Sequence, residues 1–276
     1  PVKRLINEPS AAALYYSQSR AQSECRLLVI DFGGGTLDVS VVDCFENMVE
    51  IVAIAGNNHL GGNDIDRAIA GYFCDQTGLV WSTLDPQQQR QLLALAERGK
   101  IALSSTGDRG CMLACEIGPE LYSVPLDSHT LSEICQPVFQ KVREVIVRAV
   151  RDSEIPISAI QDVVLVGGSS QLGVFVDYLE ELFSRRPTLA EHPEHTVALG
   201  VGMYAGIKQR DEDLREIVMT DVCPFSLGVA SYNDLQDLNP HMATLIQRSS
   251  ILPARRTERF YTLSPNQRRI RLEIGR

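Results

Sequence analysis

Two short runs of apolar residues, each stopping at a cluster of glycines, constrain this chain more than anything else in it. Leu27-Leu-Val-Ile30 leads through Asp31 and Phe32 to Gly33-Gly34-Gly35, and Val163-Val-Leu-Val166 leads straight into Gly167-Gly168. An apolar run without polar alternation reads as a strand buried on both faces, and such a strand needs helices covering both sides of its sheet. Helical patterns follow. Asn63 to Cys74 carries Ile65, Ala68, Ile69 and Phe73 at helical spacing, with Asn63 placed to cap it. Asp85-Pro86 opens a second helix reaching Leu103, and Leu131 to Asp152 forms a third. A helix to Phe183 follows Gly167-Gly168, and the last runs from Thr196 to Arg210. Val39–Asp43 and Val49–Ala55 complete an antiparallel meander with the first strand, and 110–124 reads as two strands around Gly118-Pro119. The expected fold class is α/β, with a mixed sheet.

After Arg210 the texture changes. Asp211-Glu-Asp213 is a charged break, Ile217-Val-Met-Thr-Asp221 a short apolar segment, and 222–276 lose helical periodicity. A domain boundary is expected at 211–221. The seven scattered cysteines do not form a disulfide pattern, which reads as a reducing compartment and gives a cytoplasmic expectation. Neither Cys111 and Cys115 nor His192 and His195, with Pro193 between them, completes a metal set. A net charge of −9 argues against nucleic acid as a partner, and the Arg-rich tail reads as a solvated strand face. No apolar run has bilayer-spanning length, so no membrane partner is expected. The chain begins at Pro1 rather than Met, which suggests a cut or processed N-terminus.

Asp31-Phe-Gly-Gly-Gly-Thr-Leu-Asp38 carries the chemistry. Glycines after a buried strand let backbone N–H groups converge on a phosphate. Two flanking carboxylates make sense there if a divalent cation sits between them, and Mg²⁺, which keeps several waters, suits Asp31 and Asp38 directly or through water. Phosphoryl transfer needs little beyond such positioning and charge neutralisation. The glycines of 167–168 supply a second backbone N–H site, as though two walls faced one nucleotide.

LINEPSAAA (5–13), DFGGGTLD (31–38), LGGNDID (60–66), AERGKIALSS (96–105), VVLVGGSS (163–170), IVMTD (217–221) and CPFSLGV (223–229) occur in the order found in DnaK-like seventy-kilodalton heat-shock chaperones. The resemblance covers essentially the whole chain; CPFSLGV and GGSSQ are most similar to an HscC-like branch. It implies an actin-like ATPase lobe with a helical/β insert at about 79–155. Residues 1–210 would be the second lobe only, 211–221 the interdomain linker, and 222–276 an incomplete peptide-binding β-domain. The implied cofactors are ATP/ADP and Mg²⁺. The implied partners are unfolded or extended apolar peptides, a J-domain co-chaperone and a nucleotide-exchange factor.

Carried over by motif, the resemblance assigns catalysis to Glu8, Asp31, Thr36 and Asp38, with Asp31 and Asp38 around the metal. Thr36 would face the terminal phosphate, Glu8 would position water and metal, and Pro9 would relay nucleotide state. Gly33, Gly34 and Gly35 would cradle phosphates. Glu97, Lys100 and Ser104 would hold adenosine, with Gly167, Gly168, Ser169, Gln171 and Glu194 on the other side of the base. Ile101 and Gln171 stand where many members carry an Arg against the base, which implies weaker nucleotide stacking. The expected function is ATP-dependent, stress-related chaperoning of unfolded peptide. Without the first lobe, these residues alone are expected to hydrolyse poorly. A small-molecule kinase on the same fold would not carry CPFSLGV. A non-hydrolysing nucleotide-binding scaffold sits poorly with Glu8, Asp31, Thr36 and Asp38.

Overall fold

A computed structural model describes residues 5–19, 25–45, 48–106, 110–209, 218–223, 225–232, 241–262, 264–270 and 272–275. In chain order come helix α1 (Glu8–Ser19), strands β1 (Cys25–Phe32), β2 (Leu37–Phe45) and β3 (Met48–Asn57), then α2 (Gly62–Thr77) and α3 (Pro86–Thr106). Next are the hairpin β4 (Cys111–Ile117) and β5 (Glu120–Leu126), α4 (Ser128–Ser153), β6 (Asp162–Val166), α5 (Gly173–Phe183), β7 (Thr188–Leu189) and α6 (Thr196–Gln209). The remainder is β8 (Val218–Val222), β9 (Leu227–Ser231), β10 (His241–Ile246), β11 (Ile251–Leu252) and β12 (Ile274–Gly275).

The main sheet has seven strands in the order β11-β8-β3-β2-β1-β6-β7. The meander β1-β2-β3 is antiparallel, β6 joins β1 in parallel, and β7 joins β6 in parallel. This is the mixed α/β sheet that the apolar runs predict. β1 is central, and its alternation sorts two cores. Leu28, Ile30 and Phe32 point into the larger core beneath α2, α4 and α5. Leu27 and Val29 point the other way, into the core shared with α1 and α6. On that second face the helices cross closely, because a Cβ at Gly200 would lie 1.9 Å from the carbonyl oxygen of Ala11. Only a residue without a side chain fits the crossing.

Phe32, the last residue of β1, is fully buried and packs on Phe175 of α5, with ring centroids 4.7 Å apart; Phe175 in turn meets Phe139 of α4 at 5.7 Å. Burying a ring of that size contributes about 2 kcal/mol. It also anchors the strand end from which the glycine turn leaves.

The helix caps show where side-chain chemistry sets boundaries. Asp85 Oδ1 accepts from the N–H groups of Gln87 and Gln88 at 2.8 and 2.9 Å, and Asp127 Oδ1 accepts from Thr130 N–H at 2.7 Å. At α2 the expectation fails. Gly61, not Asn63, caps the helix: Asp64 N–H donates to Gly61 O at 2.9 Å, and Gly61 N–H donates to Asp64 Oδ2 at 2.9 Å. Asn63 is already inside the first turn because its backbone N–H is taken by the glycine loop. A second difference lies after β6, where Gly168–Gln171 is one 3₁₀ turn and α5 starts only at Gly173.

Of the segment expected to link two domains, residues 211–217 lie outside the described residues. Val218–Val222 forms β8, parallel to β3 through Met48↔Val218, Val49↔Met219 and Glu50↔Thr220. Asn7 Nδ2 donates to Asp221 Oδ2 at 2.8 Å, which ties that strand to the start of α1. The following residues hold on as well. β11 pairs antiparallel with β8, and Arg248 reaches both the Ile54 carbonyl at 2.8 Å and Asp152 Oδ2 at 2.6 Å. β10-β9-β12 form a separate three-stranded sheet. Of the Arg-rich tail, Arg271 lies outside the described residues.

Candidate nucleotide site

Residues 33–36 close the β1–β2 hairpin, with Gly33 N–H donating to Thr36 O at 3.0 Å. Two neighbouring elements, α2 and the turn at 168–171, fix this turn by its carbonyls. Gly33 O accepts from Gly62 N–H at 2.9 Å and from Ser169 Oγ at 2.9 Å, while Gly34 O accepts from Asn63 N–H at 2.7 Å. In a planar trans peptide, the N–H points opposite to the preceding carbonyl. With both carbonyls drawn inward, the N–H groups of Gly34 and Gly35 point outward, on a turn whose residues 34–36 are exposed. Exposed N–H groups on successive residues are what binding an anion there would need.

The approach of these elements depends on missing side chains. A Cβ on Gly61 would lie 2.5 Å from Gly35 N and 2.6 Å from Gly34 O. Gly167 has φ of +87°, and its Cβ would lie 2.5 Å from Phe32 O and 2.7 Å from Asp31 Oδ1. Gly167→Ala is therefore expected to destabilise the chain by about 2 kcal/mol, through backbone strain and a clash with main-chain atoms. Chemical denaturation measures this; a loss under about 0.5 kcal/mol contradicts the packing described.

The acids meet on one face. Asp31 and Asp38 are register partners across β1 and β2. Asp31 follows Val29 and Leu27 on the side of α1, whose first residue is Glu8. Burial, then the charge of Asp38, then that of Glu8, push the Asp31 carboxyl up to about 6. Burial and Glu8 raise that of Asp38 as well. Gly56 backs Asp38, since a Cβ there would lie 2.4 Å from Asp38 Oδ1. Like charges placed opposite each other destabilise a strand pair unless something positive lies between them. Among the described residues, no group of three or more His, Cys, Asp or Glu side chains is arranged to hold a metal ion. Two carboxylates, with water and phosphate oxygens completing the shell, are a donor set that fits Mg²⁺.

The adenosine residues named from sequence divide. Gly168 and Glu194 are adjacent, with a Cβ on Gly168 lying 3.5 Å from Glu194 Oε1, and Gln171 Nε2 donates to that oxygen at 3.2 Å. Ser169 belongs to the clamp on Gly33. On α3, Glu97 and Ser104 are exposed, and Ser104 Oγ donates to the Lys100 carbonyl at 3.0 Å. Lys100 is committed inward. Its Nζ lies 2.8 Å from Asp66 Oδ1 and donates to Gly62 O at 3.2 Å, in a pair with side chains only 13% and 8% exposed. Asp66, Gly56 and the Gly61-Gly62 pair belong to this construction, and the sequence reading gave them no role. An acid two residues past the helix-opening Asp64 was the available signal for Asp66.

A mixed α/β sheet, a glycine turn clamped by its carbonyls and a pair of opposed carboxylates come together at one end of β1 and β2. Comparison with known proteins gives the family. The model described as "Hsp70 protein" matches residues 1–276. The chain is 32% identical over 281 residues to "Chaperone protein dnaK" of Trieres chinensis, covering 99% of this chain and 44% of that one. It is 33% identical to "Heat shock 70 kDa protein 7, chloroplastic" of Arabidopsis thaliana and 32% identical to "Stromal 70 kDa heat shock-related protein, chloroplastic" of Pisum sativum, covering 99% of this chain and 38% of each relative. This chain belongs to the Hsp70 family, and its fold is the mixed α/β one expected of that family's actin-like ATPase lobe. It spans less than half the length of these relatives. The HscC-like placement rests on CPFSLGV and GGSSQ alone.

The chloroplastic relatives correct one expectation. Free thiols report a reducing environment, not which compartment supplies it, so the cytoplasmic reading does not follow. Among the described residues, no helix is long and apolar enough to cross a membrane.

Proposed function

We propose that this chain is part of an ATP-dependent molecular chaperone, in which ATP binding and hydrolysis are coupled to binding of unfolded, extended apolar peptide. The observation that carries the reading is the glycine turn of 33–36, held by its carbonyls with Asp31 and Asp38 opposed beside it. In this reading, residues 1–210 are the second lobe of the nucleotide-binding domain, with its insert at about 79–155. Residues 211–221 are the interdomain linker, and 222–276 begin the peptide-binding domain.

Gly33, Gly34 and Gly35 cradle phosphate through backbone N–H groups, and Thr36 faces the terminal phosphate. Asp31 and Asp38 would hold Mg²⁺, directly or through water, and Glu8 would help position water and metal. When bound, Mg²⁺ supplies charge neutralisation for the phosphates. Glu97, Lys100 and Ser104 bound the adenosine on one side, and Gly167, Gly168, Ser169, Gln171 and Glu194 on the other. Lys100 does so by holding α3 against α2 through Asp66. Nucleotide-dependent docking of the linker gives two-site coupling through a bistable arrangement. A J-domain co-chaperone and an exchange factor are the proposed partners. The 276 residues by themselves form one side of the cleft, and their own turnover is slow.

The missing guanidiniums make a test of this assignment. Ile101 is 55% exposed, so a longer planar side chain has room there. Ile101→Arg is expected to tighten ADP binding about fivefold, the equivalent of roughly 1 kcal/mol of stacking. Titration calorimetry reads this directly, and unchanged affinity contradicts the placement of the base beside α3. A non-hydrolysing nucleotide-binding scaffold is the alternative; it predicts the same binding with no turnover in any assembled form.

A further inference from the structure

The end of the β1–β2 hairpin away from the glycine turn carries a second reactive pair. Cys25 opens β1, Cys44 is the penultimate residue of β2, and the antiparallel register sets them directly opposite each other. Opposed residues have Cα atoms about 4.5 or 5.5 Å apart, depending on whether they exchange backbone hydrogen bonds. Both spacings lie within the roughly 4.4–6.8 Å that a disulfide spans. The two side chains share the α1 face, with Cys44 inside its core and Cys25 packed at the edge. Both are free thiols, close enough for each to act on the other's ionisation. Cys111 and Cys115 differ: they lie on one strand, opposite Leu126 and Tyr122.

Access is one-sided. Cys44 is buried, whereas Cys25 is partly exposed and lines a cavity of about 510 Å³ together with Arg26, Asp43, Phe45, Met48, Glu50 and Gln161. Arg26 Nε lies 3.1 Å from Asp43 Oδ2, and Glu50 adds a second carboxylate, so the walls carry both signs of charge. Those charges lie on the sheet face opposite the two thiols, because Arg26 and Asp43 alternate with Cys25 and Cys44 along their strands; the thiols are reached at the strand end, where Cys25 is partly exposed.

We propose that Cys25 and Cys44 form a dithiol oxidation site that accepts a small disulfide at the partly exposed Cys25 and closes into an intrachain disulfide. Cys25 gives its proton to solvent and attacks one sulfur of the oxidant. The oxidant's S–S bond breaks, and one small thiol leaves with a proton. Cys44 then gives up its proton and attacks the Cys25 sulfur, releasing the second small thiol. Two protein thiols are oxidised by two electrons, and one small disulfide is reduced to two thiols. The order follows from access and acidity. Burial first, and then Cys25 and Asp43, push the Cys44 thiol up to about 12, so Cys44 resolves rather than initiates.

Oxidised glutathione is the probe. The full chain is incubated with it, remaining thiols are alkylated, and non-reduced peptides are mapped by mass spectrometry. The expected result is a Cys25–Cys44 linked peptide that dithiothreitol separates. In Cys44→Ser, the reaction is expected to stop at a glutathione mixed disulfide on Cys25. Two results overturn the proposal in the wild-type chain. One is both thiols remaining alkylatable under conditions that modify Cys111. The other is a persistent mixed disulfide on Cys25 with Cys44 still alkylated. Neither reading depends on the variant folding.

Discussion

Lys100→Met is expected to cost about 3–5 kcal/mol of stability, the loss typical of stranding one member of a buried ion pair. For a domain of this size that lowers the melting temperature by roughly 10 °C. Lysine and methionine have similar length, so the change removes charge and hydrogen bonds more than volume. What remains is Asp66, 8% exposed, with its partner gone. Burial already raises the Asp66 carboxyl, while the Lys100 hydrogen bond and charge hold it down. Without Lys100 it rises further. The folded variant then binds a proton that the unfolded chain releases, so its deficit is greatest at neutral pH and shrinks as pH falls. Pairing the change with Asp66→Asn is expected to recover much of the loss. The damage should also reach the glycine turn, because Lys100 donates to Gly62 O and Gly62 N–H donates to Gly33 O. A single-variant cost below about 1 kcal/mol, measured by urea unfolding, contradicts this account of the latch.

Asp31→Asn is expected to do the opposite to stability while abolishing function. Asp31 titrates near 6 in the folded chain, against an ordinary value of 3.8. Between those values the folded chain holds a proton that the unfolded chain has lost, so the stability of the metal-free chain falls as pH rises through this window. Above pH 6 the full cost is present, about 3 kcal/mol, arising chiefly from burial and then from Asp38 and Glu8. Asn removes that cost. The metal-free variant should therefore melt several degrees higher than wild type at pH 7.5 and only slightly differently at pH 4. It should also lose the stabilisation that Mg²⁺ with ADP gives the wild type. A variant that is less stable at pH 7.5, or that keeps a full Mg²⁺-dependent shift, contradicts the role given to the opposed pair.

These two cases mark what the residue order makes legible. Consecutive apolar residues ending in glycine identify β1 and β6 because burial on both faces leaves no other reading. Asp85 caps its helix by purely local rules. The site is legible where it is local: Asp31 and Asp38 flank one hairpin, so their opposition follows from the turn between them. What was hidden is long-range. Gly61 rather than Asn63 caps α2 because the cap must also meet Gly34 and Gly35, a contact between segments some 27 residues apart that local capping preferences cannot anticipate. Lys100 reads as a ligand residue on an exposed helix face, yet α3 packs so that its amine turns to Asp66. The segment at 217–221 reads as a linker, and the pairing of β8 (Val218–Val222) with β3 depends on an open sheet edge that only the assembled fold reveals.

The central claim is that these residues are one competent half of an ATP-hydrolysing cleft. It is tested most directly by measuring Mg²⁺-dependent ATP turnover by the 276-residue chain, alone and with the first ATPase lobe of a homologue added. The account predicts slow turnover by the chain alone and a rate that rises with added lobe, absent in Asp31→Asn. ATP binding with no turnover in either condition, by a chain shown to be folded, contradicts it and favours the non-hydrolysing scaffold.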